Sequence, residues 1–127
     1  MIFSVSIDLD PLWCYRAIWG LEGAGPEEAD PVAAVATGRF CELMDEIGMR
    51  GTVFAVGRGL DDPAAAAALA GAHRQGHEIA NHTWGHRYDL SKQDTATITE
   101  EIARGADAIE RATGARPRGF RAPGYLL

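Results

Sequence analysis

The 127-residue sequence has only two cysteines, Cys14 and Cys41, and they do not form a CxxC pair. A disulfide framework or a cysteine-based zinc ribbon is excluded, and both read as reduced thiols in or near the core. Positive charge is also scarce: 12 Lys and Arg stand against 18 Asp and Glu, a formal charge of −6. Neither a nucleic-acid backbone nor an anionic membrane finds an electrostatic partner in that balance. Long apolar runs are missing, the alanines at 64–68 falling far short of the roughly 20 residues that cross a bilayer. The opening MIFSVSIDLD has no basic start of the kind a secretion signal carries, so a cytoplasmic location is expected. There is no GxSxG, no P-loop and no GxGxxG after a strand, which leaves serine-hydrolase and nucleotide-binding readings without support.

What is present is a globular composition, 46% apolar and 24% charged, on a chain long enough for one core and too short for two. Ile2 to Ile7 is an apolar, β-branched run that breaks into Asp8-Leu9-Asp10-Pro11, a buried strand opening into a loop. Residues 11–30 show no clear period and read as a long loop with room for a short helical turn. Asp30-Pro31 caps a helix in which Val32, Val35, Phe40, Leu43, Met44 and Ile47 recur at helical spacing up to Gly48. Thr52–Val56 is a second strand, and Asp61-Asp62-Pro63 opens a second helix that Gly76 stops. His77–Ala80 is a third strand. After a loop, Ser91 or Asp94 caps a third helix with Ile98, Ile102, Ala106 and Ile109 inward, ending at Gly114. Gly119-Phe120-Arg121 makes a fourth strand. This β-α-β-α-β-α-β order predicts an α/β fold of parallel strands with functional groups at their C-terminal ends.

Three groups of reactive side chains fall at those ends: Asp8 and Asp10, His82 and His86, and Arg121 followed by Pro123 and Gly124. Two imidazoles four positions apart are either ordinary surface histidines or a chelating pair that a carboxylate would complete, leaving positions open for water. A D-x-D is either a solvated strand end or a pair in which one carboxylate binds metal and the other accepts a proton. Arg121 is either a surface cation or the group that holds a carboxylate in place and keeps it ionised. His73 and His77 share the spacing, but Gly76 between them turns the side chains apart; His73 reads as a helix-end residue, His77 as a hydrogen-bonded one near the site. Trp13, Tyr15, Trp19 and Trp84 are either core or an aromatic wall for a sugar ring.

The stretch GHEIANHTWGH, with SIDLD upstream and GFRAPGY downstream, resembles the polysaccharide deacetylases of carbohydrate esterase family four, which share the nodulation-factor deacetylase homology domain. The resemblance implies a distorted (β/α) barrel of about 200 residues, so residues 1–127 are expected to be a single partial domain, the N-terminal portion of that barrel. It implies Asp8 as catalytic base, Asp10, His82 and His86 as metal ligands, Arg121 as the residue that orients the base, and the Gly124 N–H as an oxyanion donor. The implied cofactor is a divalent metal, zinc first, with cobalt, manganese and nickel as alternatives. The implied partner is an N-acetylated carbohydrate, and the open barrel edge suggests self-association. Two features depart from the family pattern: aspartates separated by Leu9, and a tyrosine displaced to Tyr125 by Gly124. The D-x-D form is similar to a branch that includes peptidoglycan-deacetylase-like and allantoinase-like enzymes, so cyclic-amide hydrolysis is a second reading. A third is a truncated, catalytically idle fragment that binds metal or glycan. The family's later motifs, which supply an aspartate tethering the arginine and a histidine acting as general acid, lie outside the 127 residues.

Overall fold

A computed structural model describes residues 2–21 and 31–125. Three parallel strands, β1 (Ser6–Leu9), β2 (Thr52–Ala55) and β3 (Glu78–Asn81), lie in the order β1-β2-β3. Their register places Asp8 beside Phe54 and Phe54 beside Ala80, so the three strands end level with one another. Helices α1 (Leu12–Ile18), α2 (Pro31–Glu46), α3 (Pro63–Arg74) and α4 (Thr95–Thr113) occupy the connections and the segment after β3. α2 packs on α3 and α3 on α4, while α2 lies against β1 and both α3 and α4 against β3. Met44, Val53, Leu69 and Ile109 are fully buried between these layers; each such side chain contributes about 1.5–3 kcal/mol through burial. Among the described residues the outer edge of β1 pairs with no strand.

The helix ends follow from local chemistry. Asp62 Oδ1 accepts the Ala64 N–H at 2.9 Å with Pro63 in the first turn, and Asp94 Oδ1 accepts the Thr97 N–H at 2.8 Å. Asp94 is thus the cap of α4, and Leu90–Lys92 forms a separate turn. Gly114 closes α4 at φ +79°, a left-handed conformation that glycine adopts without steric cost. The proposed Asp30 cap of α2 lies outside the described residues.

Several expectations are corrected. The first strand runs Ser6–Leu9 rather than Ile2–Ile7, because the ladder begins where Thr52 N–H meets the Val5 carbonyl; Ile2 and Phe3 are 98% and 71% exposed. The short helical element allowed for in residues 11–30 is the seven-residue α1, which buries only Cys14, too little burial to leave an apolar period to read; residues 22–30 of that loop lie outside the described residues. On α2 the buried face is Ala33, Thr37, Phe40, Cys41 and Met44, leaving Val35, Leu43 and, just past the helix end, Ile47 exposed. The fourth strand reduces to one bridge, Asn81 to Phe120, with Asn81 N–H to the Gly119 carbonyl and Arg121 N–H to the Asn81 carbonyl.

Candidate metal centre

Alternation along β1 points Ser6 and Asp8 to one face and continues to Asp10 just beyond the strand. Arg121 enters the same place from the bridge opposite β3: its guanidinium bonds Asp8 Oδ1 through Nη1 and Ser6 Oγ through Nη2 at 3.0 Å. The guanidinium also lies 3.8 Å over the Phe54 ring, the middle member of the strand row, which fixes it in plane. Asp8 therefore has a partly buried, oriented carboxylate.

His82 follows β3 directly. Its Nδ1 is 2.7 Å from the Arg121 carbonyl, which can only accept, so Nδ1 carries the proton and Nε2 presents a lone pair inward. That Nε2 is 3.5 Å from Asp10 Oδ1, and His86 Nε2 is 3.2 Å from the same oxygen. Both histidines are buried. His86 and Thr83 adopt φ of +52° and +66°, a region that costs an L-residue about 1–2 kcal/mol. The turn is held by Thr83 Oγ1, which accepts the His86 N–H, and by Asn81 Oδ1, which accepts the Thr83 N–H, both at 3.0 Å. Asn81 Nδ2 in turn donates to the Ile102 carbonyl of α4 at 2.9 Å. Gly105 makes this approach feasible: a Cβ there would stand 2.4 Å from Asn81 Oδ1 and 2.8 Å from the Thr83 carbonyl carbon.

The donor set fits a divalent ion. One ligand atom from each of Asp10, His82 and His86 lies within 4.8 Å of the others. The 3.5 and 3.2 Å separations bracket the roughly 3.3 Å expected between two donors bonded at about 2.0–2.1 Å to a tetrahedral ion. Asp10 Oδ1 and His86 Nε2 are buried with no hydrogen-bond partner, an arrangement that a native interior rarely tolerates unless another species satisfies the atoms. Burial alone would push Asp10 upward, but the facing imidazoles of His86 and His82 and the Tyr15 hydroxyl outweigh it and hold the carboxyl below its ordinary value. Burial lowers His82, opposed in part by the Arg121 carbonyl and Asp10, which keeps its ring neutral and able to ligate.

The centre opens into a cleft of about 400 Å³ at the strand ends, bounded by Tyr15, Tyr88 and Gly124. Gly124 sits at φ +65°, and a Cβ there would come 3.0 Å from Tyr88 Cδ1. Tyr88 stands edge-on to His86, 4.7 Å between ring centres; burial, with Asp10 nearby, pushes its hydroxyl up to about 12, so it stays protonated. The sequence reading missed Tyr88, Ser6 and Asn81; only the i, i+2 spacing of Ser6 and Asp8 carried a signal. Of the four aromatic residues considered as a sugar wall, Tyr15 alone borders the cleft, its hydroxyl 3.4 Å from Asp10 Oδ2. Trp84 lies beneath Arg104, Trp13 beneath Arg58, and Trp19 is 76% exposed. His77 is not near the centre. It precedes β3 at the opposite end of the sheet, accepting the Gly51 N–H at Nδ1 and packing on Phe40.

Parallel β/α units that gather two histidines and two aspartates at their strand ends define the chain as part of a β/α barrel with its candidate site at the C-terminal rim. The sequence matches the polysaccharide deacetylase family over residues 25–125, and the chain belongs to that family. Its fold is similar to that of a Mycobacterium smegmatis protein assigned to the polysaccharide deacetylases (TM-score 0.77, 26% identity, 98% of this chain and 43% of that one). It is likewise similar to a family 4 acetyl xylan esterase from Clostridium thermocellum in complex with a cobalt ion (TM-score 0.71, 22% identity, 98% and 49%). A curated relative, the uncharacterized protein YlxY of Bacillus subtilis strain 168, is 38% identical over 50 residues, 39% of this chain and 15% of that protein. The chain thus spans half or less of the length of these relatives.

Proposed function

We propose that the protein is a divalent-metal-dependent hydrolase that removes N-acetyl or O-acetyl groups from a carbohydrate. The observation that carries this reading is the buried trio Asp10, His82 and His86, two of whose inward atoms have no other partner, with Asp8 and Arg121 alongside. Family membership supports a carbohydrate acyl group as substrate, and the fold shared with an acetyl xylan esterase supports including esters. Asp10, His82 and His86 would hold the ion, zinc being the first choice for two imidazoles and a carboxylate and cobalt, manganese or nickel the alternatives. When bound, such an ion lowers the pKa of a coordinated water and polarises a carbonyl.

The chain's own residues do the rest. Asp8 accepts the proton of the attacking water as it adds to the acyl carbon. Arg121, bonded to Asp8 and braced by Ser6 and Phe54, keeps that carboxylate aimed. The Gly124 N–H, on a turn where a Cβ would crowd Tyr88, donates to the oxyanion that develops on the carbonyl. Acetate and an amine, or an alcohol from an ester, are the products. The test is acetate release from N-acetylglucosamine oligomers and from acetylated xylan by the metal-loaded protein. Release that chelator and Asp8→Asn each abolish is expected; chelator-insensitive release, or none from either substrate, overturns the reading.

A further inference from the structure

Every backbone N–H from His82 to His86 has an acceptor. His82 donates to the Ala55 carbonyl at 3.0 Å, Thr83 to Asn81 Oδ1 at 3.0 Å, Trp84 to the Glu101 carbonyl at 2.9 Å, Gly85 to Glu101 Oε2 at 2.7 Å, and His86 to Thr83 Oγ1 at 3.0 Å. Four of these acceptors are backbone groups of a strand or helix, or side chains of the same segment. The fifth is a charged side chain from α4, and it meets the amide immediately before His86. Glu101 is half-buried and sits hard against the loop, because a Cβ on Gly85 would stand 3.0 Å from its Oε1.

His86 holds φ +52°, so the loop has to be held against relaxation of this residue to an ordinary backbone conformation. The acceptor on Gly85 opposes that relaxation as long as its oxygen stays within hydrogen-bond reach of the amide. The geometry points to Glu101 as a positioning residue that sets the His86 imidazole through the Gly85 amide. This inference rests on the metal-site reading above for its consequence, though not for the contact itself.

The experiment is cobalt(II) titration of the wild type, Glu101→Asp and Glu101→Gln, with Glu110→Ala on the same helix as control, alongside amide hydrogen exchange of the metal-free proteins. Glu101→Asp keeps the charge but withdraws the oxygen by about 1.5 Å. Its cobalt affinity is expected to fall about tenfold, with an altered absorption spectrum of the bound ion. In the metal-free protein its Gly85 and His86 amides should exchange about tenfold faster while those of α4 do not change. Glu101→Gln, whose carbonyl can accept the same N–H, recovers most of the affinity and protection. Wild-type affinity in Glu101→Asp, or a Glu101→Gln as weak as Glu101→Asp, overturns the inference. A wild type that binds no cobalt instead defeats the metal reading, and the exchange rates alone then decide the role of Glu101.

Discussion

Gly105→Ala should destabilise the protein although alanine is the better helix former. In an open helix interior the change stabilises by about 0.5–1 kcal/mol. At Gly105 the added Cβ meets Asn81 Oδ1 at 2.4 Å and the Thr83 carbonyl carbon and oxygen at 2.8 and 2.9 Å. Thr83 cannot retreat, since its carbonyl accepts the Gly57 N–H, and overpacking against fixed backbone costs about 1–3 kcal/mol. Displacing Asn81 also weakens its bonds to Thr83 and Ile102, each worth about 1 kcal/mol. The net loss is about 2–4 kcal/mol, which at about 4 °C per kcal/mol for a domain of this size lowers Tm by about 10 °C. A Cβ added at Gly38 of α2 would have nothing within 4 Å, so Gly38→Ala should raise Tm by a few degrees. Thermal melts of the two variants followed by circular dichroism decide the matter. If Gly105→Ala melts at or above the wild type, the close approach of α4 to the loop 82–86 is wrong.

Three further outcomes follow from particular contacts. Arg121→Met removes the charged bonds to Asp8 and Ser6, worth about 1.5–3 kcal/mol together with the loss of orientation, and should cut acetate release while cobalt binding survives; equal loss of both would assign Arg121 to the ligand set instead. His77 is buried, and burial with Arg50 nearby lowers it from 6.5. The unfolded chain then binds more protons, so stability is constant above about pH 6.5 and falls as pH drops from there toward the lowered native value; urea midpoints between pH 5 and 8 should show this slope in the wild type and a flatter one in His77→Gln. The β1 edge, which pairs with no strand among the described residues, beside exposed Ile2 and Phe3 predicts concentration-dependent association of the 127-residue chain by sedimentation, and a monomer at all concentrations contradicts it.

The candidate site residues were legible because their type and order are the signal: two aspartates, an H-x3-H and an arginine, each at the end of a β-branched or apolar segment. Helices α3 and α4 were legible through their caps and stops, Asp62-Pro63 and Asp94 to Gly114. The limits of β1 were not, because Ile2–Ile7 lacks an alternation that would set where pairing with β2 begins. Val35, Leu43 and Ile47 satisfy helical spacing as well as Phe40 and Met44 do; the buried face was chosen by small residues, Ala33 and Thr37, that a hydrophobicity pattern underweights. The support of the loop 82–86 was hidden for a different reason. Asn81 bonds the Ile102 carbonyl 21 positions on, Glu101 the Gly85 amide 16 positions back, and Gly105 makes room for Asn81 by its missing Cβ; no local pattern encodes such contacts.

The central claim is that Asp10, His82 and His86 bind one divalent ion between them. Dialysis of the purified protein against zinc, followed by elemental analysis, tests it directly. One zinc per chain in the wild type and none in His82→Ala or His86→Ala is the predicted result; a wild type without stoichiometric zinc, or variants that retain it, would contradict the account.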